Sequence, residues 1–523
     1  RASGANLAFR PIYLVYNLGG LLGLLSVEFL LIRHFGIRQS LWLAGTVNFI
    51  VAAGLWLNRC PPLPMGNGGL ASSAEPLPRS FSWREYAAVM LGGLASAIFQ
   101  IFLLKLSFLV FGPHRENFSL AVATTMSGLA LGTWLTTRYR LGLATVLALI
   151  PVLVGGIFLA WMPLLQSCLW AAEGVAWSWP LSVVVRLAGV AVFGLAPLTL
   201  FGALLPAVMN REQAVARESG RLVLLASLAN AAGYLAFVFL VHPWLSGGQA
   251  LVLVALLALG GAALAAPRYS RGGIAGALAG LVLAGLLLWR WQDRHFHLAQ
   301  WADRVAPEDQ VLIFKASAES ATLLRNEQYE WITYNGHPSV QVTVRDEAGN
   351  RLPNHAEIAS GIVPALVAPR LERALVLGCG TGMTGGTAAQ FFAHTDIVEI
   401  NPAFLQMLPE LRHANFAVAE NPAARIHLAD GRTFLTAHHG EYDVIVNSIP
   451  EPTYFSAGKI YTVEFYQRVA AALRPDGVFC TWLSPSEMTG DGVKLVLAAI
   501  RREFPHAELR LLTGAYYFLS CSR

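Results

Sequence analysis

From about residue 11 to residue 290 this chain runs through one apolar stretch after another, each near the length that spans a bilayer. That constrains the N-terminal half more than any other feature. In hydrocarbon every backbone N–H and C=O must find its partner inside the segment, so isolated apolar runs of about 20 residues have to be α-helices. Nine runs read as spans: roughly 11–32, 40–57, 86–111, 118–137, 141–162, 182–209, 221–242, 247–266 and 273–290. The Trp-rich segment 163–180 reads as an interfacial loop. Gly and Ala are frequent inside the runs, as expected where helices pack closely. Only 13% of the 523 residues are charged, against about 25% in a soluble protein, and the deficit falls in this half.

The net charge of +5 is carried largely by Arg in short loops between the runs, which reads as membrane topology and not as nucleic-acid binding. Five cysteines (Cys60, Cys168, Cys379, Cys480, Cys521) are scattered, with no CxxC or Cys/His cluster, so neither a metal site nor a disulfide framework is expected. The first residues carry no cleavable signal-peptide pattern.

A weak internal repeat places Leu18-Gly-Gly before Glu28 and Arg33, and Leu91-Gly-Gly before Gln100 and Lys105. Residues five apart on a helix point about 140° apart, so Glu28 and Arg33 are not expected to pair. Arg186 is the candidate partner for Glu28. Such residues mark either function or a structural ion pair and snorkelling near a helix end.

With nine spans the Arg clusters (Arg59, Arg79, Arg84; Arg138, Arg140; Arg211, Arg217, Arg221; Arg268, Arg271) all fall on one side, the cytoplasmic one by the positive-inside rule. The remaining C-terminal half then lies opposite. A nucleoside-using domain is expected in the cytoplasm, so the expectation is an integral protein of a bacterial inner membrane. Its C-terminal domain would be cytoplasmic and one run would not cross, with the loop charges arguing otherwise.

The second half reads as soluble. The helical domain covers 1–290 and a linker 291–310. Alternating segments around Asn335-Gly336, a strong hairpin signal, make a β-hairpin region over 311–365. From 366 to 523 strands alternate with helices: Ala374–Leu377, Asp396–Ile400, Ala424–Leu428, Tyr442–Val446, Gly477–Trp482 and a final pair near Glu508–Leu512 and Tyr516–Ser520. This is a mainly parallel Rossmann-like sheet covered on both faces. Its candidate ligands lie at strand ends. Gly378, Gly380 and Gly382 form a glycine turn, and Glu399, about 20 residues on, has the spacing of a ribose-binding acid. Asp430 ends the third strand as a candidate adenine contact, and Asn447 ends the fourth. Each also has an ordinary reading as turn chemistry. Asp443 reads as structural, and Cys379 as a small filler and not a nucleophile.

Tyr442-Asp-Val-Ile-Val-Asn447, Ile460-Tyr-Thr-Val-Glu-Phe-Tyr466 and Leu473-Arg-Pro-Asp-Gly-Val478 together resemble the spermidine synthase (polyamine aminopropyltransferase) family over about 310–523. The helical half is similar to the spans of its membrane-fused members. The resemblance implies a methyltransferase-type Rossmann fold and S-adenosylmethionine, or its decarboxylated form, as substrate, with no metal. The glycine turn, with Thr381, and Glu399 would bind the ribose and methylthio part, Asp430 the adenine, and the loop from Asn447 to Tyr461 would cover the reacting centre. Partners implied are the sulfonium nucleoside, an amine acceptor, the bilayer and a second copy of the chain.

The sequence departs from that family at two places. Where the soluble members carry an Asp that holds the substrate amine, this chain has Thr381. Where they carry the Asp that deprotonates the attacking amine, it has Asn447, with Glu451 as the nearest replacement. The family's Gln after the hairpin falls on Ser339, with Gln341 two residues on. Amine attack needs a neutral nitrogen and hence a base, so Asn447, Glu451 and Tyr461 are the candidate catalytic positions.

Three readings follow. The first is an alkyl transferase releasing 5′-methylthioadenosine, moving an aminopropyl or aminocarboxypropyl group to an acceptor or cyclising its own substrate. The second is a methyltransferase. The third is a non-catalytic transporter or sensor that binds a nucleoside or polyamine.

Overall fold

The computed structural model describes residues 9–57, 81–139, 141–175, 178–209, 216–266, 271–301, 305–317, 319–449, 452, 457–483, 488–513 and 516–523. Two compact units divide the chain. One takes Arg1–Leu104, Phe118–Phe237 and Gly248–Trp291; the other takes Lys105–Asn117, Val238–Gly247 and Gln292–Arg523.

Among the described residues six helices are long and apolar enough to cross a membrane, or seven if one bent pair counts as a span. They are Tyr13–Gly54, Trp83–Phe111, Arg115–Arg138, Trp179–Val208, Glu218–Trp244 and Gly247–Ala265. The number falls below the nine expected for three reasons. The first two runs form one helical stretch, because Gly36 (φ 72°, ψ 173°) bends the chain without a loop. Leu143–Leu159 meets Trp161–Gly174 at 63°, so the expected interfacial loop is instead a helix. The last run is the helix Arg271–Arg290, of which the apolar stretch Ile274–Arg290 is 17 residues, at the lower limit for a span.

Small residues bring helix backbones together in this unit. A Cβ on Gly132 would lie 2.1 Å from the Thr199 carbonyl oxygen, and one on Gly202 would lie 2.5 Å from Leu129 Cα. Phe158 sits between Phe102 and Phe193, with ring centroids 5.5 and 5.7 Å away. The Arg33 guanidinium lies over the Trp179 ring at 4.9 Å, a cation–π contact that gives its charge a partner.

The second unit holds two sheets. The first is antiparallel, in the order β1 (Gln310–Ala316), β2 (Glu319–Arg325), β3 (Tyr329–Tyr334), β4 (His337–Arg345) and β5 (Arg351–Pro353). The β3–β4 turn uses Asn335 and Gly336 at φ 48° and 80°, the pair of positive values a two-residue hairpin requires. Asn335 also accepts from Lys105 and donates to Glu319, all within this unit. Glu330, 1% exposed, ties the sheet together through Arg351 at 2.9 Å and His413 at 2.7 Å.

The second sheet takes β6 (Arg373–Leu377), β7 (His394–Glu399), β8 (Ala424–Leu428), β9 (Tyr442–Asn447), β10 (Leu473–Leu483), β11 (His506–Thr513) and β12 (Tyr516–Ser522). Their order is β11-β12-β10-β9-β6-β7-β8, parallel except where β12 pairs antiparallel with β10 and β11. This is the Rossmann-like, methyltransferase-type sheet expected from the alternation of strands and helices. The central strands are apolar and fully buried: Leu375, Leu377 and Ile445 face one cluster with Phe465, Tyr466 and Phe479, while Ala374, Val376 and Val444 face the other. Burial on both faces is why these strands read as continuous apolar runs.

Candidate active site

The register of three parallel strands brings the sequence's separate signals to one edge. Leu377 of β6 lies opposite Val398 of β7 and Asn447 of β9. The Gly378 amide donates to the Val398 carbonyl, and the Ser448 amide to the Leu377 carbonyl, each at 2.8 Å. The Ala429 amide donates to the Glu399 carbonyl at 2.9 Å, adding the end of β8. An open parallel sheet binds ligands at this C-terminal edge, where the strand order reverses.

Gly378, Gly380 and Gly382 have φ of 91°, 52° and 80°, a left-handed run that residues with a Cβ rarely adopt. The turn points its amides at an acid. Cys379 and Gly380 donate to Glu399 Oε2 at 2.9 and 3.4 Å, and the Asn401 amide donates to Oε1 at 2.8 Å. Glu399 is 6% exposed. Burial pushes its carboxyl above the usual range, and the amides of Asn401, Cys379, Gly380 and Ile400 act against that shift. Glu399 nevertheless lies on the wall of a cavity, where a ligand hydroxyl can share an oxygen with these amides.

Asp430 caps the helix Gly431–Thr436, accepting from the Arg432 amide at 2.8 Å. Lys459 Nζ lies 3.7 Å from its Oδ2. Burial works to raise Asp430, but the Arg432 side chain and amide outweigh it and hold the carboxyl below the ordinary range.

Gly378, Gly380, Thr381, Glu399 and Asp430 line one cavity of about 170 Å³. Gly382 is the N-cap of the next helix, Met383–Ala388, behind the wall. The cavity also takes Tyr334 and Phe404, stacked 5.9 Å apart, and Trp482 and Tyr516, stacked 5.3 Å apart. Flat apolar walls with carboxylates at the edge suit a heteroaromatic ring carrying a polar sugar. Sequence reasoning missed these aromatics, together with Glu357 and Lys459. They come from β3, the helices His355–Val367 and Pro402–Met407, the turn Gly458–Ile460, the end of β10 and the start of β12, and the fold brings them to one edge.

The expected catalytic positions are placed differently. Asn447 is fully buried; its Nδ2 donates to Thr481 Oγ1 at 3.3 Å, and it is not among the residues lining the cavity. The Tyr461 hydroxyl donates to the Ile449 carbonyl at 3.1 Å, tethering a residue that does line it. Glu451 lies outside the described residues. Ser339 lines the cavity while Gln341 pairs opposite Trp331 in the sheet. Burial raises the Cys379 thiol, so it is not poised as a thiolate nucleophile. Among the described residues no group of three or more His, Cys, Asp or Glu is placed to hold a metal ion.

A seven-stranded sheet of this order, with a glycine turn after its first strand and an acid after its second, defines a Rossmann-like domain of the methyltransferase type. Residues 357–516 match the Spermine/spermidine synthase domain family. The C-terminal region of the chain thus carries a spermine/spermidine synthase domain. It is similar to polyamine aminopropyltransferase 2 of Bacillus cereus, 28% identical over 161 residues, which are 30% of this chain and 42% of that protein. It is also similar to polyamine aminopropyltransferase 1 of Streptomyces coelicolor, 28% identical over 150 residues, which are 28% of each chain. The chain therefore spans less than half the length of these two relatives. Among solved structures, the spermidine synthase of Thermotoga maritima is 19% identical, covering 41% of this chain and 72% of that one with a TM-score of 0.35. A spermidine synthase in complex with the transition-state analogue AdoDATO is 21% identical, covering 41% and 73%, with a TM-score of 0.36.

Proposed function

We propose that the C-terminal unit transfers an alkyl group from a sulfonium nucleoside, decarboxylated S-adenosylmethionine, to an amine and releases 5′-methylthioadenosine. The observation that carries this reading is the Glu399 carboxylate held at 2.9 Å by the glycine turn on the wall of a cavity shared with Asp430. The match to a spermine/spermidine synthase domain supports aminopropyl as the group moved.

The reaction needs little covalent help. The acceptor nitrogen attacks the aminopropyl carbon bound to sulfur; the C–N bond forms, the C–S bond breaks, and its electron pair stays on sulfur to give a neutral thioether. The attacking nitrogen must lose a proton, before or during attack, because an ammonium has no lone pair. Asn447 has no carboxylate to take it. Glu451 is the proposed base and amine anchor, and Tyr461 holds the neighbouring loop through Ile449. Glu399 and Asp430 orient the nucleoside on its ribose and adenine sides, which fixes the sulfonium carbon for attack.

The helical unit is proposed to embed the protein in a bacterial inner membrane, with the nucleoside site on the cytoplasmic side where such cofactors are made. Seven crossings, with the bent pair counted as one span, would return the C-terminal unit to the side of the Arg-rich loops, whereas six would divide those loops between the two sides. Self-association is proposed as well, by analogy with the soluble family. A methyltransferase reading is favoured by one observation, the neutral Thr381 in the turn, since no acid at that position repels a substrate carboxylate.

The test is turnover by detergent-purified full-length protein given decarboxylated S-adenosylmethionine with and without putrescine. Methylthioadenosine released only with the amine supports intermolecular transfer, and release without it supports cyclisation. Ligand binding with no product overturns the enzyme reading and leaves a sensor.

A further inference from the structure

We infer that Glu357 is the group that recognises the cationic tail of the sulfonium substrate and makes the site prefer a tail without a carboxylate. The inference rests on that reading of decarboxylated S-adenosylmethionine as the substrate and goes beyond it to the residue that selects this form. No sequence motif marks Glu357. It sits in the first turn of the helix His355–Val367, which Asn354 caps by accepting from the Ala356 and Glu357 amides.

Two close approaches bring that helix to the glycine turn. A Cβ on Gly361 would lie 2.5 Å from Thr387 Cβ and 2.7 Å from the Thr384 carbonyl oxygen, so the helix packs directly on Met383–Ala388. Glu357 Oε2 then accepts from the Thr384 hydroxyl at 2.9 Å, three residues beyond Thr381. Glu357, Gly380 and Thr381 line the same cavity wall.

The three carboxylates on the cavity are not equivalent. Glu399 takes three backbone amides, at 2.9, 3.4 and 2.8 Å. Asp430 is engaged by Arg432 and Lys459. Glu357 has one neutral hydroxyl, which it shares with its own backbone carbonyl at 3.2 Å. Burial raises the Glu357 carboxyl above its usual range, against the Thr384 hydrogen bond, and among the described residues no cation acts on it.

Charge counting points the same way. Three carboxylates on the cavity stand against Lys459 on its wall and Arg432 on Asp430, which among the described residues leaves one negative charge when all are ionised, on the side of Glu357 and Glu399. Decarboxylated S-adenosylmethionine carries two positive charges, a sulfonium and an ammonium. The intact form adds a carboxylate that Glu357 would repel. The chain lacks an acid at Thr381, and Glu357 supplies one from the neighbouring helix.

The experiment measures binding of three probes to the detergent-purified full-length protein and its Glu357→Gln variant: decarboxylated S-adenosylmethionine, intact S-adenosylmethionine and 5′-methylthioadenosine, which has no charged tail. The expected result is a loss of about tenfold or more for the decarboxylated sulfonium, the scale of one charge-assisted hydrogen bond. Methylthioadenosine binding stays within about twofold, and the preference for the decarboxylated over the intact form shrinks. Unchanged affinity for the decarboxylated form, or equal loss of all three probes, overturns the assignment. Failure of the unaltered protein to bind methylthioadenosine overturns the nucleoside reading itself, and this assignment with it.

Discussion

The Cys379 amide donates to Glu399 Oε2 at 2.9 Å across 20 residues of chain. The bond closes the glycine turn onto the end of the neighbouring strand and fixes the acid before any ligand arrives. Asn401 holds the other oxygen at 2.8 Å. A site built this way binds with little reorganisation.

Replacing Glu399 tests that bond directly. Glu399→Gln keeps the volume but sets an NH2 group against amides that also donate. Affinity for methylthioadenosine should fall at least tenfold, on the scale of a charged hydrogen bond of about 1.5–3 kcal/mol. Equilibrium dialysis with labelled nucleoside reads it; an unchanged affinity would mean that the acid serves only the turn.

The glycines of the turn should differ in tolerance. Both Gly378 and Gly380 have positive φ, but a Cβ on Gly378 would meet Ile449 Cγ1 at 2.9 Å, whereas one on Gly380 meets nothing within 4 Å. Gly380→Ala should cost about 1 kcal/mol from the backbone alone, and Gly378→Ala about 1–2 kcal/mol more from crowding. Melting curves of the two full-length variants should rank them in that order.

Asp443 is fully buried and accepts from the Arg373 amide at 2.9 Å, Arg370 at 3.1 Å and Arg474 at 2.6 Å. Burial works to raise its carboxyl, but those three donors outweigh it and hold it below the ordinary range. A depressed carboxylate contributes stability above its unfolded value of about 3.9 and loses it as pH falls through the folded value. Asp443→Asn should therefore cost about 2 kcal/mol at pH 7. The gap to the unaltered protein should hold down to about pH 5 and narrow below about pH 4. A gap that does not change with pH would contradict the ionised network.

Glu451 is assigned the proton-accepting role, so Glu451→Gln should lower kcat by about 100-fold or more and leave methylthioadenosine affinity within about twofold. Single-turnover kinetics separates the two. An unaltered kcat would remove Glu451 from the chemistry.

Much of the sheet is legible in the sequence because buried parallel strands are short apolar runs ended by Gly, Asp or Asn. Ala424–Leu428 has the same bounds in sequence and structure, and Glu399 and Asp430 announce themselves by position at strand ends. The cavity's other wall is not legible. Ser339 reaches it because β3 and β4 shift register between Ile332 and Thr333, and a shift of one residue turns a side chain to the other face. Phe404, Trp482 and Tyr516 look like ordinary core aromatics until the sheet order brings them together. Glu357 sits where a hairpin region is expected and is read instead as the start of a helix. In the helical unit, hydropathy marks apolar runs but does not distinguish a bend at Gly36 from a loop.

The most direct test of the central claim is the identity of the nucleoside product when the purified full-length protein meets intact and decarboxylated S-adenosylmethionine in equal amounts with putrescine. Mass spectrometry should find methylthioadenosine and an aminopropylated amine, with the decarboxylated sulfonium consumed first. S-adenosylhomocysteine as the product, or consumption of the intact form alone, would contradict it.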